Sequence, residues 1–249
     1  MKVFCLIGSH SNSGKTTTAC EIIRNLKKRN YSVSALKDIH IEGFSIDSEG
    51  KDTWLMSEAG ANPVISFSEK ETGIIYRKRL PIDSIKQHLS SDYLVIEGGK
   101  SFYYPAIAVS DGVDDLEKIV DERVFAISGP VSRDVSTFKN IPVFDIYKSI
   151  DEFVDYIMDI VPPALPFFDD DCCRFCGMTC SEMLVKLLRK EKNINECIAY
   201  ANNKIKLKIG EKTIDMVPFV QDTLVDVIKG FLRNLKGYDS QASIEIIIK

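Results

Sequence analysis

The amino-acid sequence predicts an α/β fold, in which helices cover both faces of a mostly parallel sheet, followed by a small cysteine-rich α+β domain. Three observations support this prediction. Short apolar segments alternate with helix-like segments over the first 160 residues, which is the pattern of parallel strands joined by helices. A stretch with three prolines and three consecutive acids follows at 161–171. Five of the seven cysteines then fall within 26 residues.

The first segments show how each element is identified. Residues 2–8 form an apolar run that ends at a glycine, as a short buried strand does. Residues 15–30 carry apolar side chains at helical spacing, and 81–89 begin with a proline, which the first turn of a helix accepts. Residues 92–96 are apolar and stop at Glu97, which is typical of a buried parallel strand.

The same criteria locate the remaining elements. Further strands are predicted at 31–37, 63–67, 73–78, 106–109, 123–127 and 143–146, and further helices at 50–60 and 150–161. Beyond the cysteines, the pattern predicts a helix at 181–190, a hairpin of 204–209 and 212–217 around Gly210 and Glu211, a helix at 218–235 and a strand at 243–248. The predicted organisation is a main α/β domain at 1–161, a linker at 162–171 and a cysteine-cluster domain at 172–249.

Composition and charge exclude several classes of protein. The chain has 36 acidic and 32 basic residues and a net charge of −4, so it offers no broad basic surface to a nucleic-acid backbone. No apolar run approaches the roughly 20 residues of a membrane-spanning helix. The N-terminal residues lack the apolar block and cleavage site of a signal peptide. We therefore expect a cytoplasmic protein with no nucleic-acid or membrane partner.

The strongest chemical signal is the segment from Gly8 to Thr17, which stands between a predicted strand and a predicted helix. Such a loop surrounds phosphate oxygens with backbone N–H groups and a helix N-terminus. Lys15 is expected to reach the β- and γ-phosphates, and the Thr16 hydroxyl to hold Mg²⁺. The first glycine of the motif is expected at position 9, where this chain has Ser9, with Gly8 one residue early. The predicted phosphate-binding residues are Ser11, Asn12, Ser13, Gly14, Lys15, Thr16 and Thr17.

This context favours a P-loop NTPase-type sheet, and the alternative is a serine-rich turn that caps a helix. P-loop proteins also place an acidic residue at the end of a neighbouring strand to position Mg²⁺. Glu97 is the candidate, and it completes a predicted catalytic set with Lys15 and Thr16. The alternative for Glu97 is an ordinary strand-end carboxylate in a turn. No Asn-Lys-x-Asp element selects guanine, so the motif alone leaves GTP and ATP open.

A further group of motifs lies between these two elements. It consists of Lys37-Asp-Ile-His40, Asp47, Gly50-Lys-Asp-Thr-Trp54 and Glu58-Ala-Gly-Ala61. Together with the Gly-Lys-Thr-Thr segment before it and Val95-Ile-Glu-Gly-Gly-Lys100 after it, this succession resembles the molybdopterin-guanine dinucleotide biosynthesis protein B family. The resemblance covers roughly residues 2–160. Two positions differ from the common pattern of that family, Asp38 in place of a histidine and Gly99 in place of an aromatic residue.

The resemblance implies a small GTP-binding protein that assists in attaching a nucleotide to molybdopterin. It implies Mg-GTP as ligand, and a molybdopterin guanylyltransferase together with molybdopterin or its acceptor enzyme as partners, with a homodimer as a further possibility. Slow hydrolysis is expected, because no arginine finger or obvious water-positioning glutamine stands near the motif. Asp47, Lys51 and Asp52 then border the nucleotide and partner-facing cleft. Without the resemblance, Lys51 and Asp52 are equally compatible with the start of a helix.

The cysteine cluster is the second chemical signal. Cys173, Cys176 and Cys180 are separated by two and three residues, and Cys197 follows after sixteen more. Four thiolates so spaced suit an iron–sulfur cluster or Zn²⁺. The spacing is similar to that of small four-cysteine [4Fe-4S] domains, so a [4Fe-4S] cluster is the prediction, with Zn²⁺ and unliganded thiols as alternatives. Cys172 competes with Cys173 for the first position.

These observations lead to one functional hypothesis and two alternatives. The hypothesis is a GTP-binding accessory protein of molybdenum-cofactor biosynthesis, with weak GTPase activity and a C-terminal iron–sulfur module. One alternative is a nucleotide-gated protein of metallocluster insertion or electron transfer. The other is an ATP-dependent small-molecule ligase or kinase of the P-loop class.

Overall fold

The structure is a computed structural model that describes residues 1–165, 174–201, 205, 207–209, 212–214, 216, 218–239 and 244. The described strands are β1 Lys2–Ile7, β2 Val33–Lys37, β3 Val64–Phe67, β4 Thr72–Ile75, β5 Tyr93–Glu97, β6 Ala106–Val109, β7 Val124–Ser128, β8 Thr137–Phe138, β9 Ile141–Phe144, β10 Leu207–Ile209 and β11 Lys212–Ile214. The described helices are α1 Lys15–Lys28, α2 Asp52–Glu58, α3 Ile82–Lys86, α4 Val113–Ile119, α5 Ile150–Ile160, α6 Cys180–Leu188, α7 Ile198–Ala201 and α8 Pro218–Leu232. Short 3₁₀ turns lie at Pro130–Arg133 and Ile194–Glu196.

The main sheet has seven strands in the order β2-β5-β1-β6-β7-β9-β8. Every neighbouring pair is parallel except β8 and β9, which form an antiparallel edge. Strands β3 and β4 form a separate antiparallel hairpin, and so do β10 and β11. This mostly parallel sheet with helices confirms the predicted fold class.

The sheet is buried on both faces, which explains why its strands are continuous apolar runs. Alternate residues of the central strands point to opposite layers, as the two-residue repeat of a strand requires. On one face, Phe4 and Leu6 pack with residues of α1 and α5, among them Ile22 and Phe153. On the other face, the alternate residues of β1 pack with Leu116 of α4. The core therefore holds the carboxyl ends of the parallel strands side by side, along the same end of the sheet.

The element predictions failed where the sequence signal was short. Helix α4 was not predicted, because only Leu116 and Ile119 of its seven residues are buried. Strand β9 begins two residues before the predicted segment at 143–146. Of the predicted strand 243–248, only residue 244 is among the described residues. The predicted turn at Gly210 and Glu211 lies outside them.

The first part of the predicted linker packs against the main domain. Pro163 forms a bridge with Lys2, and the Ala164 amide donates to the Met1 carbonyl at 3.1 Å. Val161 and Leu165 are buried, and Leu165 belongs to the same apolar cluster as α6. Residues 161–165 therefore contact both regions.

A helix that could span a membrane must be both long and apolar, and none of the helices among the described residues meets both conditions.

Candidate nucleotide-binding site

The predicted phosphate loop lies at the carboxyl end of β1, in the middle of the sheet, and leads directly into α1. Asn12 and Gly14 have positive φ values of 66° and 91°, a conformation that glycine adopts without strain. Gly14 is the N-cap of α1, and no side chain caps the helix there. The first amides of α1 are thus not taken by a cap, as an anion site at a helix N-terminus requires.

The interior of the loop is tightly packed around Gly8. A Cβ atom at Gly8 would lie 2.6 Å from Ser13 Oγ, 2.9 Å from Lys15 Nζ and 3.0 Å from the Val109 carbonyl oxygen. Ser13 is buried, and Lys15 Nζ donates to Ser13 Oγ at 3.0 Å and to the His10 carbonyl at 2.6 Å. Gly8 therefore fills the steric role of the motif's first glycine from one position earlier in the chain.

Glu97 lies at the end of β5, beside the phosphate loop. It is in register with Leu6 of β1 on one side and with Lys37 of β2 on the other. Its side chain is 16% exposed, and Oε1 accepts from Lys37 Nζ at 2.9 Å. Burial lowers the pKa of Lys15, whereas the nearby Glu97 charge opposes that shift. The structure thus brings Lys15 and Glu97 into the same electrostatic environment.

Asp38 joins three segments next to Glu97. Its carboxylate is only 2% exposed and accepts from Arg79 at 2.8 Å, from His40 at 2.9 Å and from the Gly99 amide at 3.2 Å. Burial alone would raise the pKa of Asp38, but the hydrogen bond and charge of Arg79 outweigh it and hold the pKa below its ordinary value. The guanidinium of Arg79 also lies over the Phe102 ring. Sequence reasoning missed this cluster because Arg79 is distant in the chain.

His10 faces two carboxylates on the opposite side of the phosphate loop. Its Nδ1 lies 2.6 Å from the Ser11 carbonyl, and its Nε2 lies 3.1 Å from Asp111 and 3.5 Å from Asp115. The Ser11 carbonyl and Asp111 raise the pKa of His10 above its ordinary value. These contacts are those of an imidazolium ion pair at the surface, which connects the loop to the start of α4.

The predicted residues of the following loop make local contacts. Asp47 is largely buried and accepts from the Ser48 amide and from Thr53 Oγ1. Lys51 is the N-cap of α2 and Asp52 its first residue, and both are exposed. In the described part of the chain, no hydrogen bond or ion pair joins these three residues to the phosphate loop. Their assignment to the nucleotide cleft stays a prediction.

The donor set beside the loop fits a magnesium–nucleotide ligand. Thr16 in the first turn of α1 and Glu97 carry hard oxygen donors of the kind that Mg²⁺ prefers. Lys15 and the first amides of α1 supply donors for phosphate oxygens. Lys15 folds back over the loop into the small space next to Gly8, which a Cβ atom at that position would fill.

Three of the four predicted cluster cysteines lie in one apolar cluster. Cys180 and Cys197 are buried and Cys176 is partly buried, and they pack with Leu165 and residues of α6. Cys173 lies outside the described residues. Four sulfur atoms bound to one Zn²⁺ at about 2.3 Å would lie about 3.8 Å from one another. The sulfur atoms of the three described cysteines do not all lie within 4.8 Å of one another. Within the described ranges, the group that meets this spacing is His10, Asp111 and Asp115.

Comparison with known sequences gives one consistent result. The family described as molybdopterin guanine dinucleotide synthesis protein B matches residues 3–128, about half of the chain. A Methanocaldococcus jannaschii protein, provisionally named a molybdopterin-guanine dinucleotide biosynthesis adapter protein, is 26% identical over 255 residues and covers 100% of this chain and 97% of its own. The adapter protein of that name from Haemophilus influenzae is 33% identical over 129 residues, covering 49% of this chain and 71% of its own.

Solved structures show the same fold. The crystal structure of Bacillus subtilis MobB has a TM-score of 0.55 at 22% identity and aligns over 66% of this chain and 100% of its own. A crystal structure of molybdopterin-guanine biosynthesis protein B has a TM-score of 0.51 at 19% identity, over 64% of this chain and 99% of its own. The structural match therefore concerns the α/β region.

Proposed function

Because the chain belongs to the molybdopterin guanine dinucleotide synthesis protein B family, we propose that it is a GTP-binding accessory protein of molybdenum-cofactor biosynthesis with weak GTPase activity. The observation that carries this proposal is the phosphate loop at the end of β1, with Lys15 and Glu97 in one electrostatic environment. Both residues lie inside the region that matches the family.

The chain's own residues account for binding. The residues from Ser11 to Thr17 supply backbone and hydroxyl donors, and Lys15 supplies the charge that neutralises the β- and γ-phosphates. Thr16 and Glu97 would hold Mg²⁺, which supplies further neutralisation of phosphate charge when bound. Hydrolysis is expected to be slow, because Arg79 is engaged by the buried Asp38.

Competition between nucleotides tests the proposal. A fluorescent GTP analogue is bound to the protein in the presence of Mg²⁺, and GTP, GDP and ATP are added separately. We expect GTP and GDP to displace the analogue and ATP to displace it only at much higher concentration. Displacement by ATP alone would favour an ATP-dependent ligase or kinase instead. An Asp52→Asn variant, measured alongside, reports whether the loop before α2 contributes to affinity.

For the C-terminal region we propose an iron–sulfur module held by Cys173, Cys176, Cys180 and Cys197. Support comes from the ligand spacing and from the burial of Cys180 and Cys197 in one apolar cluster, since a dry environment protects a cluster from water. The relative from Methanocaldococcus jannaschii aligns over the whole chain, whereas the shorter Haemophilus influenzae relative aligns over 49% of it. The module is therefore proposed as an addition to the nucleotide-binding domain.

Anaerobic purification with metal analysis tests this module. Four iron atoms per chain with absorbance near 400 nm are expected. One equivalent of zinc would replace the iron–sulfur assignment by a structural zinc site, and the absence of both metals would leave thiols without a ligand. The Cys20→Ser variant serves as the control and should keep the metal content of the wild type, because Cys20 lies in α1, outside the cluster.

The proposed partners are a molybdopterin guanylyltransferase, together with molybdopterin or its acceptor enzyme, in the cytoplasm. A second copy of the chain is a further proposed partner. The hairpin of β3 and β4 supports it, because a two-stranded sheet is marginally stable alone and this one exposes apolar side chains. They are Ile65, Phe67 and Ile74. Sedimentation equilibrium should detect a dimer that Phe67→Asp weakens.

A further inference from the structure

The side of the phosphate loop next to β5 carries more positive than negative charge. The charges of Lys37 and Lys100 act on the Lys15 ammonium there, as does that of Glu97. Glu97 is the one carboxylate that pairs with any of them among the described residues. Arg79 is compensated by Asp38. This side of the site is therefore electrostatically favourable for an anion.

Lys37 is placed to reach such an anion. It is the last residue of β2, and its Cα is paired with that of Glu97, which in turn is paired with Leu6 just before the loop. Neighbouring strands are about 4.8 Å apart, so the long lysine side chain can extend from β2 over β5 towards β1. Its ammonium does extend that way, because Nζ lies 2.9 Å from Glu97 Oε1.

The ion pair with Glu97 leaves Lys37 capacity for a second ligand. An ammonium group has three N–H donors, and the pair uses one of them. The side chain is 58% exposed, so a phosphate oxygen can approach it. In P-loop proteins the metal bridges the β- and γ-phosphates and is positioned by the strand-end carboxylate. The γ-phosphate therefore belongs on the Glu97 side of the loop, where Lys37 lies.

We propose that Lys37 binds the γ-phosphate of the nucleoside triphosphate and is a catalytic residue of its hydrolysis, an inference that rests on the proposed function. In that reaction the oxygen of a water molecule forms a bond to the γ-phosphorus, and the bond from that phosphorus to the β-phosphate oxygen breaks. The products are nucleoside diphosphate and inorganic phosphate, which takes up the proton of the water. Lys37 neutralises part of the charge on the transferred group and exchanges no proton.

The test compares two nucleotides that differ in the γ-phosphate. Kd values for GDP and for β,γ-imido-GTP are measured with Mg²⁺ on the full chain and on Lys37→Met, Lys37→Gln and Lys37→Arg. Loss of one charge-assisted hydrogen bond should weaken the imido-triphosphate about 10- to 100-fold in the Met and Gln variants. GDP should bind within about threefold of wild type in the same variants, and Arg should restore most of the triphosphate affinity. Single-turnover hydrolysis should fall in parallel with triphosphate affinity.

Lys190→Met is the matched control. Lys190 is 62% exposed and pairs with Asp159 at 2.6 Å, away from the phosphate loop, so its removal should change neither Kd. An equal loss of GDP and imido-GTP affinity in Lys37→Met and Lys37→Gln would overturn the proposal, because Lys37 would then act only by orienting Glu97. Unchanged affinity for both nucleotides would overturn it as well. A wild-type chain that binds neither nucleotide would instead overturn the proposed function itself.

Discussion

At the scale of single residues, the phosphate loop depends on Gly8, which is not one of the glycine positions of the standard motif. The sequence has Ser9 at the position of the first motif glycine, which made the motif look incomplete. The structure shows that Gly8 is the residue whose missing side chain leaves room for Ser13 Oγ and Lys15 Nζ. The motif and its position between a strand and a helix could be predicted from the sequence, but this steric requirement depends on how the loop folds back.

Gly8→Ala should therefore impair binding more than folding. The added Cβ meets the ends of the Ser13 and Lys15 side chains and comes within 3.0 Å of the Val109 carbonyl oxygen. The clash with Lys15 displaces the ammonium proposed to contact phosphate. We expect GTP affinity to fall at least about tenfold, measured by calorimetry, while the midpoint of thermal unfolding changes little. Gly112→Ala is the control, because nothing lies within 4 Å of a Cβ there. Equal GTP affinity of the Gly8 variant and wild type would contradict this account.

At the scale of elements, the site is assembled from the carboxyl ends of β1, β2 and β5. The apolar runs and their order along the chain were sufficient to predict a parallel sheet, and Glu97 was predicted from its position at a strand end. The neighbours of Glu97 were not predictable in the same way. Asp38 and Arg79 are 41 residues apart, and their contact arises only once the segment between β4 and α3 lies against the end of β2.

Asp38→Ala tests whether that contact stabilises the strand ends. The substitution leaves Arg79 and the Gly99 amide without a buried acceptor, so the free energy of unfolding should fall by about 1–3 kcal/mol. Urea denaturation measures it. Asp83→Ala provides the comparison, because Asp83 is an exposed acid paired with Lys86, and its loss should change stability by no more than about 0.5 kcal/mol. A similar loss of unfolding free energy in the two variants would show that Asp38 stabilises the fold no more than an exposed acid does.

At the scale of the whole molecule, the nucleotide site and the cysteine region are built separately but packed together. The composition shift near residue 161 predicted a boundary, and the contacts of Leu165 and α6 show that the chain stays packed across it. Such packing could not be foreseen from the proline-rich stretch, because prolines occur in loops whether or not these are buried. Within the described ranges, no hydrogen bond or ion pair links Lys15, Lys37 or Glu97 to residues 174–239.

A chain shortened to residues 1–165 should therefore keep its nucleotide site. We expect its Kd for GTP to lie within about threefold of the full chain, because the complete donor set is retained. Its thermal stability should be lower, since Tyr103 and Leu165 lose their apolar neighbours from α6. A shortened chain that is folded by circular dichroism but no longer binds GTP would show that the C-terminal region takes part in the site.

The most direct test of the central claim is calorimetric titration of Mg-GTP into the wild-type chain and into Lys15→Ala. Lys15 is the donor on which the phosphate-loop assignment depends. Its ammonium donates to the His10 carbonyl and to Ser13 Oγ within the loop, so the variant should fold normally. The account predicts one saturable site in the wild type and no measurable binding in the variant. Retained affinity in a folded Lys15→Ala protein would contradict it.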